Sequence, residues 1–352
     1  MTKLRLGVIG AGSWAVASHL PNFAARKDEV EFVGVCRKGP EMLEKIKNDW
    51  GFQVASEDYQ DVIDAGMDIC LVASPHGMHH EHAKAALEAG AHVLCEKPFT
   101  VDPKHAWELV EIADRKNLHL LLSYGWNYRP WMQEAKRLMD EYGIGEIEQS
   151  AIQMASSTRE LLANLGDYPQ AAQDSLPEQA TWTDPRNGGG YGQAQLSHAL
   201  GCALWLTGLR GASVFAMMKA VLDAPVEHHD AVVIGYDNGS IGTMAGGSAH
   251  LGSGGDRHQL EVRAIGSEGQ LMIDLERDEF WHFRADGHEV RPTLSGVDLL
   301  YDCIGPPNTL IDLAQGKDVV NYSPGELGAR TVEILDAAYR SARSGVLEHT
   351  AR

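Results

Sequence analysis

The sequence predicts an α/β protein in two parts, a doubly wound parallel sheet followed by an α+β region with a mostly antiparallel open sheet. Three observations carry this. The first third alternates short apolar runs with amphipathic stretches, which is the pattern of βαβ units. Its first run ends in a glycine turn, Gly10-Ala11-Gly12. Past residue 123, apolar alternation broken by hairpin turns replaces that series. A chain of 352 residues exceeds what one core comfortably holds, so a boundary is expected between domains over 1–123 and 124–352.

The elements follow in order. Strands are expected over 4–9, 31–36, 68–73, 92–95 and 118–123, with helices over 14–26, 41–50, 79–89 and 103–115 between them. Right-handed crossovers make a doubly wound sheet the economical topology. A helix over 131–141 leads to a strand over 146–155, then to a polar stretch over 156–187 that reads as a loop above a site. A helix over 191–206 precedes strands over 213–221, 230–236, 240–246 and 259–264. Asp237-Asn238-Gly239 and Ser267-Glu268-Gly269 supply hairpin turns. Helices over 308–315 and 325–343 close the pattern.

Asp and Glu outnumber Lys and Arg by enough to give a formal charge of −19. Such a surface repels polyphosphate and anionic lipid, which argues against nucleic-acid or membrane partners. The five cysteines form no CxxC pair, and Cys36, Cys70 and Cys95 lie in or close apolar runs, so reduced core thiols are expected. The first strand begins almost at Met1, leaving no room for a signal peptide, and no apolar run reaches the roughly 18 residues of a membrane span. The expected location is the cytoplasm. His76, His79, His80 and His82 have helical spacing but no Cys or carboxylate array beside them, so no metal is expected. Glu227-His228-His229-Asp230, at a strand start, is expected to be solvated.

The glycine turn points to a dinucleotide and to the Rossmann form of the doubly wound sheet. Gly10 permits a tight turn, Gly12 lets a pyrophosphate approach the backbone, and amides at Ser13 and Trp14 open the helix toward the anion. Ala15 replaces the third glycine of G-x-G-x-x-G. The second strand ends Cys36-Arg37-Lys38, with two cations where an NAD site places an acid. Arg37 can pair with a 2′-phosphate, so NADP is expected over NAD; Arg37 stacking on adenine and tolerating both is the alternative.

Two further segments resemble the glucose–fructose oxidoreductase / inositol dehydrogenase (Gfo/Idh/MocA) family. They are Ser74-Pro75-His76-Gly77-Met78-His79 and Ala91-His92-Val93-Leu94-Cys95-Glu96-Lys97-Pro98, similar to that family's T-P-N-x-x-H … G-x-H-V-x-x-E-K-P. Asn127-Tyr128-Arg129, Asp184-Pro185 before Gly188-Gly189-Gly190, residues 262–269 and the last helix fit as well. The resemblance implies NAD(P)-dependent action on sugars, cyclitols and related compounds by a homodimer or homotetramer. It implies cofactor contacts from Ser74, Pro75, His76, His79, Glu96, Lys97 and Asn127.

Read from the residues alone, Lys97 follows the carboxyl end of a parallel strand, where open α/β sheets bind ligands. A lysine partly buried there has a lowered pKa and can stabilise charge on a substrate oxygen. His198 matches the family's catalytic histidine. Many members place an Asp four residues earlier; this chain has Ala194. Gln195 shares the helix face of His198 and is expected to act as a neutral substitute. Lys97, His198 and Gln195 are therefore the expected catalytic set. Tyr124, Arg159 and Trp182 join them as expected substrate contacts, with Trp182 also near the nicotinamide; the same loop is expected to bring Tyr168 and Arg186 toward the site. The expected reaction moves a hydride between nicotinamide and a secondary alcohol or lactol carbon. A tightly bound cofactor used transiently for glycoside cleavage or oxidoisomerisation, and a non-catalytic NADP sensor, are the alternatives.

Overall fold

The computed structural model describes residues 2–165, 179–249, 259–293 and 301–351. Strands β1 (Leu4–Ile9), β2 (Val30–Cys36), β3 (Val54–Ser56), β4 (Ile69–Val72), β5 (His92–Cys95) and β6 (Leu120–Leu122) form the first sheet. Their order is β3-β2-β1-β4-β5-β6, and every pairing is parallel. The winding direction reverses between β1 and β4, so a crevice opens beyond their carboxyl ends. Both faces are covered, which is why the strands read as unbroken apolar runs. Leu6, Val8, Ile69, Leu71, Leu94 and Leu121 pack one side; Ile9, Cys70, Val72, Val93, Cys95 and Leu122 pack the other.

Two local features depart from the sequence expectation. The first helix is a π turn, Ala15–His19, running into an α segment, Leu20–Ala24. Pro21 has no N–H for an i→i−4 bond, so the preceding turn widens. Strand β3 and the helix Tyr59–Asp64 are additional. A three-residue strand is too short to show alternation, although Asp58 caps its helix by accepting from Gln60 N at 2.9 Å.

The second sheet contains β7 (Ile147–Ser156), β8 (Gly211–Lys219), β9 (His229–Tyr236), β10 (Ile241–Ser248), β11 (Gln259–Gly266), β12 (Gly269–Asp274), β13 (Glu279–Arg284), β14 (Glu289–Val290) and β15 (Glu348–His349). The order is β14-β13-β12-β11-β7-β10-β9-β8-β15. Only β7 with β10 is parallel among the described pairings. The two expected hairpin turns join β9 to β10 and β11 to β12. Inward residues Val214, Val232, Ile234 and Met244 pack with Leu200, Leu204, Val332 and Leu335 of the helices Ser197–Thr207 and Gly325–Ser344. The outer face leaves Phe215, Met217, Val233 and Ile241 exposed. The stretch expected as one loop over 156–187 carries short helices, Arg159–Leu162 and Gln179–Thr183, and a 3₁₀ turn, Pro185–Asn187. Tyr168 lies outside the described residues. Among those described, no helix is long and apolar enough to cross a membrane.

The helix Gly305–Ala314 returns to the first sheet. Leu310, Ile311 and Leu313 join the cluster of Leu6, Ile69 and Leu94, and the Arg26 guanidinium donates to Asn308 O at 3.0 Å and Asp312 Oδ1 at 2.7 Å. Leu310 is fully buried, so Leu310→Ala is expected to cost about 2–5 kcal/mol, as cavity-forming truncations do. Urea unfolding followed by tryptophan fluorescence checks this; an unshifted midpoint would mean that the helix adds little to the first sheet.

Candidate active site

A cavity of about 760 Å³ occupies the crevice and extends to the second sheet's helices. Its floor is the glycine turn. Gly10 has φ +91°, and a Cβ there would sit 2.2 Å from Ser74 N. Only glycine lets the β1 and β4 ends approach this closely. Gly12, Ser13 and Trp14 line the cavity beside it.

At one end lie Arg37 and Lys38. Arg37 donates Nε to Lys38 O at 3.0 Å and Nη1 to Ala11 O at 3.4 Å, and burial lowers its pKa. Lys38 Nζ donates to Glu57 O at 2.8 Å, while the Glu57 carboxylate accepts from Gly39 N at 2.6 Å. Glu57, Asp58 and Tyr59 line the same end. None was expected there, because β3 and the turn after it have almost no sequence signature.

The middle is built by the segments after β4 and β5. Ser74, Pro75, His76, His79, Glu96 and Lys97 all line the cavity. The His79 ring reaches Ser74 O at 2.7 Å and Pro98 O at 2.8 Å, fastening one segment to the other. Glu96 accepts from Trp14 Nε1 at 3.0 Å and Lys97 N at 3.0 Å, with His19 Nε2 at 2.5 Å. Burial alone would raise the Glu96 pKa. The His19 hydrogen bond and charge, with Lys97 and Ser123, outweigh it and hold the carboxylate at about 2. Lys97 is 8% exposed and donates Nζ to Ala194 O at 2.8 Å. Burial lowers its pKa, against the nearby Glu96 charge.

The opposing wall is the helix that begins as a π turn, Gly192–Leu196, and continues as Ser197–Thr207. Gln195 and His198 face the cavity. The His198 ring sits 5.0 Å from Tyr301 and 5.7 Å from Trp126. Its first amides are capped from a distance: Gly192 N donates to Glu227 Oε1 at 3.0 Å, and Gln193 N to Tyr339 Oη at 3.1 Å. Tyr339 in turn donates to Glu227 at 2.5 Å. Gly190, at φ +110°, is required because a Cβ would lie 2.3 Å from that carboxylate.

The Glu227–Asp230 segment, expected to be solvated, is instead largely buried, with Asp230 4% exposed. It faces the helix layer, and among the described residues neither Asp230 carboxylate oxygen has a hydrogen-bond partner.

The site thus brings together Gly10, Gly12, Ser13, Trp14, Arg37, Lys38, Ser74, Pro75, His76, His79, Glu96, Lys97, Trp182, Gln195 and His198. It leaves out four expected residues, of which Arg186 is exposed and pairs with Asp184 at 2.8 Å. Tyr124 is buried behind His198, with its hydroxyl on Thr331 Oγ1 at 2.8 Å. Asn127 donates to Tyr322 O at 2.9 Å and accepts from Cys202 Sγ at 3.3 Å. Arg159 opens a short helix outside the lining, and its carbonyl meets His228 Nε2 at 3.3 Å. Strand-end and loop positions in a sequence do not reveal which side faces the crevice. Trp126, Met154 and Tyr301 line the cavity unexpectedly. Of the neighbouring histidines, His80 pairs with Glu108 at 2.7 Å and His82 with Ser74 Oγ at 2.8 Å. His82 thus shares Ser74 with His79 and lines the cavity, whereas His80 does neither.

A Rossmann sheet joined to a large open sheet, with Lys97 and His198 lining one cavity between them, defines a dinucleotide-binding protein with a second domain beside its crevice. Residues 4–124 match the model described as "Oxidoreductase family, NAD-binding Rossmann fold", and residues 132–272 match the "GFO/IDH/MocA C-terminal domain". The chain belongs to the Gfo/Idh/MocA family of oxidoreductases. It is similar to D-glucoside 3-dehydrogenase of Escherichia coli, 31% identical over 45% of this chain and 44% of that protein. It is also similar to D-xylose 1-dehydrogenase (NADP(+)) of Hypocrea jecorina, 34% identical over 32% of this chain and 28% of that one. These matches span less than half of either relative. In fold it resembles levoglucosan dehydrogenase in complex with NADH and levoglucosan, with TM-score 0.77, 20% identity and full coverage of both chains.

Burial raises the Asp230 pKa well above its ordinary value, and the Glu227 charge adds to this. Below the unfolded value of about 4 both states hold the proton. As pH rises from there through the folded value, the unfolded chain ionises first and stability is lost. Asp230→Asn removes that loss, so its melting-temperature gain over the parent should grow between pH 4 and pH 8. A gain independent of pH would show that Asp230 does not titrate in this way.

Proposed function

We propose that this protein is an NAD(P)-dependent dehydrogenase or reductase acting on a secondary alcohol or lactol carbon of a sugar, cyclitol or related polyol. The observation that carries the proposal is the meeting of Lys97, Gln195 and His198 in the cavity that begins at the Gly10–Gly12 turn. The dinucleotide fits the residues present: Gly10 and Gly12 present backbone without side chains to the cavity, with open space at the Gly12 Cβ position, and a helix N-terminus follows the turn, where amides suit an anion. Gly10, Gly12, Ser13 and Trp14 would hold the pyrophosphate, Arg37 and Lys38 the adenosine end, and Ser74, Pro75, His76, His79, Glu96 and Trp182 the nicotinamide side. When bound, the nicotinamide supplies the two-electron acceptor or donor for the substrate carbon.

The chain's own groups do the rest. Lys97 Nζ, its pKa lowered by burial, binds the substrate oxygen and steadies charge developing there. His198 takes or returns the hydroxyl proton. Gln195 orients the hydroxyl without adding charge. Trp126, Trp182 and Tyr301 present aromatic faces suited to a sugar ring. The sugar dehydrogenase names of the two curated relatives and of the levoglucosan-bound structure support a polyhydroxylated substrate. Self-association as a homodimer or homotetramer through the exposed apolar face of the second sheet is part of the same reading.

NADP is the favoured cofactor, because Arg37 and Lys38 border the adenosine end. Glu57 lies beside them and opposes part of their charge. Arg37→Ala is expected to lower kcat/KM for NADP about 10–100-fold, the worth of a charge-assisted hydrogen bond, and to leave NAD within a few-fold. Equal losses on both cofactors would remove Arg37 from phosphate recognition.

A screen of D-glucose, D-xylose, levoglucosan and myo-inositol with each cofactor, read at the nicotinamide absorbance band, tests the activity itself. Lys97→Ala and His198→Ala should each lower kcat by about 100-fold or more while cofactor binding changes little. Near-normal turnover by both variants would defeat the assignment.

A further inference from the structure

His76 offers something the proton chemistry above does not use. It opens the 3₁₀ turn His76–Met78 directly after β4 and is 6% exposed. Its ring stands edge-on to Trp182 at 5.7 Å and to His79 at 5.7 Å. Nδ1 lies 3.2 Å from Gly188 O. A carbonyl oxygen only accepts, so Nδ1 carries the hydrogen. This bond also joins the first sheet to the turn that leads into the catalytic helix.

The remaining nitrogen is then defined. With Nδ1 protonated and the ring neutral, Nε2 is a bare lone pair. Burial, reinforced by the neighbouring His79 and Lys97, pushes the His76 pKa down to about 3, so the ring stays neutral at any ordinary working pH. Among the described residues Nε2 has no hydrogen-bond partner. His76 lines the cavity with Lys97, Gln195 and His198. Lys97 brings only donors, and a ligand with several hydroxyls needs acceptors for their hydrogens beyond those of His198 and Gln195.

We propose that His76 Nε2 is a fixed acceptor for a ligand hydroxyl in the reactive half of the cavity, its tautomer set by the Gly188 carbonyl. The hydroxyl comes either from the nicotinamide-side ribose or from the polyol substrate. The inference rests on the dehydrogenase reading above.

His76→Phe keeps an aromatic ring against Trp182 and removes both nitrogens. His76→Asn restores a side-chain acceptor. The equilibrium Kd for NADP⁺, from quenching of protein fluorescence, is measured for both variants and the parent. KM values for D-glucose, D-xylose, levoglucosan and myo-inositol at saturating cofactor follow, with near-UV circular dichroism to confirm the fold. If the hydroxyl is the ribose's, His76→Phe weakens NADP⁺ about tenfold, the effect of one lost hydrogen bond, and His76→Asn recovers most of it. If it is the substrate's, NADP⁺ binding holds and the polyol KM rises about tenfold in His76→Phe but not in His76→Asn. A folded His76→Phe that matches the parent in both measurements overturns the inference and leaves the dehydrogenase reading standing. A parent protein that binds neither NADP⁺ nor NAD⁺ overturns that reading instead.

Discussion

The contact between Lys97 Nζ and the Ala194 carbonyl joins the two halves of the molecule at the point where chemistry is proposed. The lysine comes from the segment after a parallel strand, and the carbonyl from the first turns of a helix packed on the second sheet. Neither half alone supplies both the ammonium and its acceptor. The family's usual carboxylate, one helical turn before His198, is missing, and a main-chain oxygen of that same residue holds the ammonium. A neutral acceptor leaves the lysine proton less firmly held than a carboxylate would, and burial acts in the same direction.

Behind this contact stand two acid-centred supports. Glu96, bound by His19, Trp14 and the Lys97 amide, fixes the backbone from which the lysine projects. Glu227, with Tyr339, caps the amides that open the opposing helix. Each carboxylate meets several donors, so each segment has one arrangement. Asp230 meets no such donors among the described residues, and holding a proton is the cheaper solution to burial.

Much of the first half is legible in the sequence because parallel strands buried on both faces must be apolar throughout. Leu4–Ile9 and His92–Cys95 are bounded as the pattern predicts. The glycine turn and the segment ending in Lys97 are likewise readable, since each needs particular residues at fixed spacing. Tyr301 is not. It reaches the cavity from far along the chain, stacking on Trp14 at 6.2 Å, and no local pattern encodes that return. The exclusion of Tyr124 and Asn127 is equally tertiary: both sit next to the crevice in sequence, but their polar atoms are satisfied by Thr331 and Tyr322 on the far side. Glu227 and Asp230 look solvated because composition cannot show that one strand face lies under a helix.

The return of the helix Gly305–Ala314 to the first sheet has a consequence for biosynthesis. Until residues near 314 leave the ribosome, Leu6, Ile69 and Leu94 lack the covering supplied by Leu310 and Ile311. The first sheet is thus translated before the helix that completes one of its faces. Until then Leu20, Phe23, Leu43 and Ile46 cover only part of that face, and incompletely covered apolar surface is the kind that chaperones exist to shield.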